Sequence, residues 1–191
     1  MSDTVSGGAP GAGLVDLSGL RVFVGGPIQH ALGPDGLDHT LGHDIFHRPL
    51  RDTIQAVVSA VTEAGATVFS AHVVEKFGLE TPHFSPEDVS VRDLDWMRRC
   101  DVFVPVLPAD ADGGLLRTDG THIELGWASA LGRPIVMVAP LPVPAKASHL
   151  LRGLPSVADV STVDLAELRR SGPGELLLRL GKVGRDTVVT P

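Results

Sequence analysis

The chain has 191 residues, of which 43% are hydrophobic and 20% charged, and a formal net charge of -7. That balance is typical of a globular domain rather than a disordered or coiled-coil chain, and the acidic total argues against the broad basic face on which nucleic acid polymers bind. No apolar run reaches membrane-spanning length, and the first residues lack the basic start and apolar stretch of a signal peptide, so no membrane contact and a cytoplasmic location are expected.

The Gly-, Ser- and Ala-rich start reads as a flexible arm over residues 1–18, followed by one domain over 19–181 and a loose tail over 182–191. The run Leu20–Gly25, ended by Gly25, Gly26 and Pro27, predicts a buried first strand breaking into a turn. Residues 28–44 carry no sustained period and read as a long loop. Apolar positions Leu50, Ile54, Val57, Val58 and Val61 predict a helix over 45–64, stopped by Gly65. Strand two is expected over 66–71, with His72 at its end, followed by an aperiodic stretch and then a helix from the capping sequence Ser85–Pro86–Glu87–Asp88 to Arg99.

Residues 101–107 give strand three, 108–119 a Gly/Asp-rich loop, 121–131 a helix and 133–139 strand four. A short helix over 146–151, a weak strand over 157–161 and a last helix over 165–180 complete the chain. Strands alternate with helices and read as continuous apolar runs, which predicts a parallel sheet covered on both faces. The expected fold is therefore a doubly wound, flavodoxin-like α/β domain with five strands in the order 2-1-3-4-5. Ligands of such sheets lie beyond the carboxyl ends of the strands, where Gly25, His72 and the loop after Leu107 would gather.

Glu124 is the first residue to weigh for chemistry. A helix starting near residues 119–121 would expose unpaired N–H groups and hold a nearby carboxylate ionised, as a nucleophile at an anomeric carbon requires. The sequence Thr121–His122–Ile123–Glu124 also fits a capping box, which would make the glutamate purely structural. Asp93 and Asp95 stand two apart on a predicted helix, so only one of them can face a cleft. Cys100, the single cysteine, reads as a small buried hydrophobe. His39, His43 and His47 have the spacing of a metal-binding helix face, but Gly42 and the nearby Gly33–Pro34–Asp35–Gly36 turn weaken a helix there, and no metal or cofactor is expected. His72 and His122 could each touch a substrate or simply sit on the rim.

Three segments then combine: the Gly-Gly-Pro turn after strand one, Asp93–Leu94 before strand three, and the stretch from Thr118 through Gly120, Thr121 and Glu124 to Gly126. In this order and spacing the chain resembles the nucleoside 2-deoxyribosyltransferase superfamily over roughly residues 20–160, and within it the nucleoside 5'-monophosphate N-glycosidases. The nearest likeness is to the cytidylate hydrolases of nucleoside antibiotic pathways, beside the 2'-deoxynucleoside 5'-phosphate N-hydrolases. The resemblance implies that Glu124 is the nucleophile and Asp93 the acid/base partner, on a small nucleotide substrate.

It also implies that Thr118 assists the phosphate, because the transferases carry an aspartate there and the monophosphate hydrolases a hydroxyl. Ser148 would serve the phosphate site of a neighbouring protomer in a homodimer, although it equally suits the N-cap of the short helix. Phe23 stands where deoxynucleotide hydrolases have tyrosine, which favours a ribonucleotide such as CMP or a substituted CMP. Gly25, Gly26, Pro27, Ile28, Gln29, His30, His72 and Gly120 are the remaining candidate substrate contacts. Deoxyribosyl transfer between bases and non-catalytic nucleotide sensing are the alternative functions.

Overall fold

The computed structural model describes residues 15–28, 48–77, 80–110, 112–116 and 118–188. Its elements in chain order are β1 (Arg21–Gly25), α1 (Arg48–Glu63), β2 (Thr67–Phe69), α2 (Ala71–Val74), α3 (Pro86–Arg99) and β3 (Val102–Pro105), followed by α4 (Asp119–Ala130), β4 (Ile135–Ala139), α5 (His149–Gly153), β5 (Val160–Asp164), α6 (Leu165–Ser171) and α7 (Gly174–Val188).

The five strands form one parallel sheet in the order β2-β1-β3-β4-β5, as the alternation of strands and helices predicts. Side chains alternate across it. Val22, Val24, Val102, Val104, Val136 and Val138 face one layer, where they meet Ile54, Val57 and Val61 of α1 and Leu176 and Leu180 of α7. Phe23, Phe103, Ile135 and Met137 face the other, against Met97 of α3 and Leu125 and Ala128 of α4. Burial of each of these large side chains contributes about 1.5–3 kcal/mol, and with both sheet faces covered the carboxyl ends of β1 and β3 lie level at one edge, Gly25 beside Pro105.

Several boundaries differ from the sequence expectation. Leu17, placed in the flexible arm, is buried and donates its N–H to the Ala64 carbonyl at 2.7 Å, so the chain from Val15 onward belongs to the folded body. The expected helix over 165–180 is two helices. Gly172 ends α6 in the left-handed region (φ +83°), and Pro173, which has no N–H to continue a helical ladder, separates it from α7. Residues beyond Gly181, expected as a loose tail, carry α7 on to Val188. Strand two is three residues long, because at Ser70 the chain leaves the sheet and turns into α2. The last strand lies at Val160–Asp164, a few residues later than expected.

Candidate active site

At the carboxyl edge of β1 and β3 lies a cavity of about 380 Å³, walled by the Gly25–Ile28 turn, α2, the start of α3 and the first turns of α4. Two larger hollows, of about 500 and 740 Å³, lie elsewhere on the surface and contain neither Asp93 nor Glu124.

Glu124 projects from α4, whose N-cap is Thr118 in extended conformation (φ -150°). The helix therefore begins two residues earlier than the sequence suggests. Thr121 lies inside the first turn, its hydroxyl accepting from the Thr118 hydroxyl at 2.8 Å, and the capping-box reading of Glu124 falls away. Glu124 is the sixth helical residue, beyond the reach of the N-terminal dipole, which fades after the first turn. The residue is 8% exposed, and its Oε2 is buried without a hydrogen-bond partner among the described residues.

The expectation of a constitutively ionised glutamate is corrected accordingly. Burial, followed by the neighbouring Asp93 carboxylate, pushes the Glu124 carboxyl well above the usual range, while Arg92 only partly opposes this. Both influences favour the protonated form of Glu124. The glycines of the first turn make its position possible: a Cβ on Gly25 would lie 2.6 Å from Glu124 Oε2, and one on Gly26 would lie 3.3 Å from His72 Nε2. Close approach of side chains to the backbone is the reason for glycine at both places.

Asp93 faces the same cavity from α3 and is 6% exposed, whereas Asp95 points outward and pairs with Arg99 at 3.0 Å, as the two-residue spacing requires. Asp93 Oδ1 accepts from Arg92 Nε at 2.8 Å. The same guanidinium donates to Glu75 Oε1 at 2.6 Å, and Glu75 Oε2 accepts from the Thr81 hydroxyl at 2.5 Å. Arg92 also lies over the rings of Trp96 and Phe84, 4.8 and 5.3 Å from their centroids. Burial raises the Asp93 carboxyl above its ordinary value, with Arg92 opposing and Glu75 adding to the rise.

Glu75, Thr81, Phe84 and Arg92 were not singled out from the sequence. Glu75 comes three residues after His72 on an unforeseen helical turn, and that i, i+3 spacing was the one local signal available. His72 itself is buried, with Nε2 3.1 Å from the Gly26 carbonyl. A carbonyl only accepts, so Nε2 carries the hydrogen. Burial lowers the His72 pKa to about 4, which keeps the ring neutral and makes it a brace for the Gly25–Gly26 turn.

Of the other predicted contacts, Gly26, Pro27, Ile28, Thr118 and Gly120 line the cavity. Phe23 does not: the pleat of β1 turns it into the core against Phe103 and Trp96, so its effect on a sugar could only be indirect. Ser148 is the N-cap of α5, accepting from the Leu151 N–H at 3.1 Å, and it lines a separate hollow with His122 and Lys146. Gln29, His30, His39, His43 and His47 lie outside the described residues. Cys100 is buried, and desolvation raises its thiol to about 11, which excludes a thiolate nucleophile near neutral pH.

A buried carboxyl pair at the open edge of a parallel sheet sits inside the segment matched by a family model: nucleoside 2-deoxyribosyltransferase, over residues 41–155. The chain belongs to that family. Members of the nucleoside 2-deoxyribosyltransferase family are enzymes, and the matched span contains Glu75, Arg92, Asp93 and Glu124. Among solved structures the chain is similar to BlsM, with 26% identity, 93% of this chain and 97% of that one covered, and a TM-score of 0.65. It shares its fold with the CMP N-glycosidase BcmB of Clostridium botulinum, with 22% identity, 84% and 97% covered, and a TM-score of 0.51. No curated protein matches the chain.

Proposed function

We propose that the protein hydrolyses the N-glycosidic bond of a nucleoside 5'-monophosphate, CMP or a substituted CMP, releasing the free base and ribose 5-phosphate. One observation carries this reading: Glu124 and Asp93, from different helices, open on one cavity, and one Glu124 oxygen has no hydrogen-bond partner among the described residues. The choice of CMP draws on the motif resemblance to the cytidylate hydrolases, and a CMP N-glycosidase has the same fold.

A retaining hydrolysis needs one proton between the two carboxyls, and burial raises both of them toward holding it. Desolvation favours Glu124 as its holder before substrate binds. With substrate bound, positive charge developing at C1' favours the ionised glutamate, and the proton passes to Asp93. Glu124 then forms a bond to C1' as the C1'–N bond breaks, and Asp93 gives its proton to the departing base. Water attacks C1' in the second step, losing its proton to Asp93 and releasing Glu124 as carboxylate. The N–H groups of Gly120 and Thr121 in the first turn of α4 would meet the phosphate, and the Thr118 hydroxyl, which donates to Thr121 here, would have to turn to join them.

One feature favours a second reading. Among the described residues the cavity wall contains Glu75, Asp93, Asp119 and Glu124 but no lysine or arginine, a balance that suits an uncharged nucleoside and so deoxyribosyl transfer between bases. The deciding experiment incubates the protein with ribo- and deoxyribonucleoside 5'-monophosphates and the matching nucleosides, with and without a second base, and measures free base and exchanged nucleoside by chromatography. The hydrolase reading expects free base from a monophosphate in water alone, with release lost and nucleotide binding kept in Glu124→Ala. It is overturned if only base exchange on nucleosides occurs, or if wild type releases no base.

A further inference from the structure

The Glu75–Arg92 pair has no part in the chemistry above, yet it is the most completely buried ion pair among the described residues and it ends on Asp93. Arg92 and Asp93 are adjacent on α3, about 100° apart around the helix, so their side chains do not meet by helical geometry alone. They meet because the guanidinium is drawn back. Glu75, 2% exposed, holds Arg92 Nη2 at 2.6 Å from the opposite wall, and Thr81 fixes the other oxygen of Glu75. Trp96 and Phe84 confine the guanidinium plane. Arg92 Nε is then aimed at Asp93 Oδ1, leaving the second Asp93 oxygen for the cavity.

We propose that Glu75, acting through Arg92, is a positioning residue for Asp93: it sets where the Asp93 carboxyl points and how much of the Arg92 charge that carboxyl receives. Among the described residues the titratable and charged groups facing Asp93 are Glu75 at the end of α2, Arg92 from α3 itself and Glu124 from α4; His72, on α2, is neutral. One cation thus serves three carboxyls. Because Glu75 takes a share of it, Asp93 is left able to accept and return a proton. Without the Glu75 charge, Arg92 would serve Asp93 alone and the carboxyl would behave as a permanently ionised salt-bridge partner.

This inference rests on the glycosidase reading for its catalytic meaning, and its test separates the two. Glu75→Gln keeps the shape and an acceptor for Thr81 while removing the charge. Its expected effect is a shift of the alkaline limb of the kcat/KM profile to lower pH by about one unit, with KM nearly unchanged. In substrate-free protein, carboxyl carbon NMR should show Asp93, identified with Asp93→Asn, titrating at lower pH than in wild type. Arg92→Lys keeps the charge but cannot span both carboxylates, and it should lower kcat about tenfold or more with little change in KM; it tests the same inference if Glu75→Gln does not fold. An Asp93 titration unmoved in Glu75→Gln, or full kcat in Arg92→Lys, overturns the positioning role. If the Asp93 titration moves while wild type releases no base from any nucleotide, the positioning role stands and the glycosidase reading falls.

Discussion

The cavity treats its two acids in opposite ways. On the α4 side Glu124 stands over bare glycine backbone, with one oxygen partnered by nothing and burial as the main influence on its proton. On the α2 and α3 side Asp93 is equally buried but tied into Glu75, Arg92 and Thr81. A carboxyl that must form and break a bond to carbon is better without competing hydrogen bonds. One that must pass a proton in both directions is better with a charge nearby and a fixed orientation. On the proposed mechanism the difference between the two walls is a division of labour, and it can be broken from either side.

The largest expected effect comes from Asp93→Asn. Loss of the proposed proton donor should lower kcat by about 10²–10⁴-fold for a substrate with an ordinary pyrimidine leaving group. A substrate whose leaving group needs no proton should lose far less. Steady-state kinetics on the two substrates checks this. Equal losses on both would show that Asp93 serves binding or folding rather than proton transfer.

Gly25→Ala attacks the other wall. The added methyl would lie 2.6 Å from Glu124 Oε2 and about 3.0 Å from the Phe103 ring, and neither the strand nor the core can give way easily. Glu124 must swing aside, and a displacement of about 1 Å is expected to cost on the order of 100-fold in kcat/KM. The companion change Gly126→Ala, on the same helix but outside the cavity wall, where a Cβ meets nothing within 4 Å, should leave kcat within about twofold. Comparable losses in both would remove the argument that glycine is needed beneath the glutamate.

Much of this architecture is legible in the chain. Continuous apolar strands alternating with a 3.6-period helix require a doubly wound sheet, and Gly25–Gly26 after β1, with Asp93 and Glu124 in their motifs, point to its open edge. The Glu75–Arg92–Asp93 arrangement was not legible, because it joins residues 17 positions apart through a turn of helix with no periodic signal. The upward pull of burial on the Glu124 carboxyl is hidden in the sequence for a related reason. The sequence shows a helix start near the glutamate, but the two residues by which the true start precedes the expected one move Glu124 out of the dipole's range and leave desolvation in control.

That correction gives a stability prediction. The folded protein raises the Glu124 pKa above its ordinary 4.5, so the folded state retains a proton that the unfolded chain releases. Stability from this group is fully present below pH 4.5 and is lost as pH rises toward the folded value. Glu124→Gln, which carries no titrating proton, should therefore melt a few degrees higher than wild type at pH 8, about 2–4 °C for each kcal/mol regained. The advantage should shrink to nothing near pH 4. Thermal melts across that range check it, and a constant difference at all pH values would mean that the effect comes from packing.

His72 provides the smallest effect, with the opposite sign. Its pKa is depressed to about 4 in the folded protein against an ordinary 6.5, so between those values the unfolded chain binds a proton that the folded one refuses. Stability falls as pH drops through this window, by about 1 kcal/mol at pH 5.5, while Glu124 gains stability toward the lower end of the same range. The two trends partly cancel in wild type and separate in variants. His72→Asn, whose amide can still donate toward the Gly26 carbonyl, should lose the decline between pH 6.5 and 4, leaving the Glu124 trend exposed as a steady gain toward acid. Denaturant unfolding at intervals across the window would show it. If the acid decline persisted without the imidazole, the buried ring would not be the group responsible, and the brace beneath the Gly25–Gly26 turn would have to be judged by geometry alone.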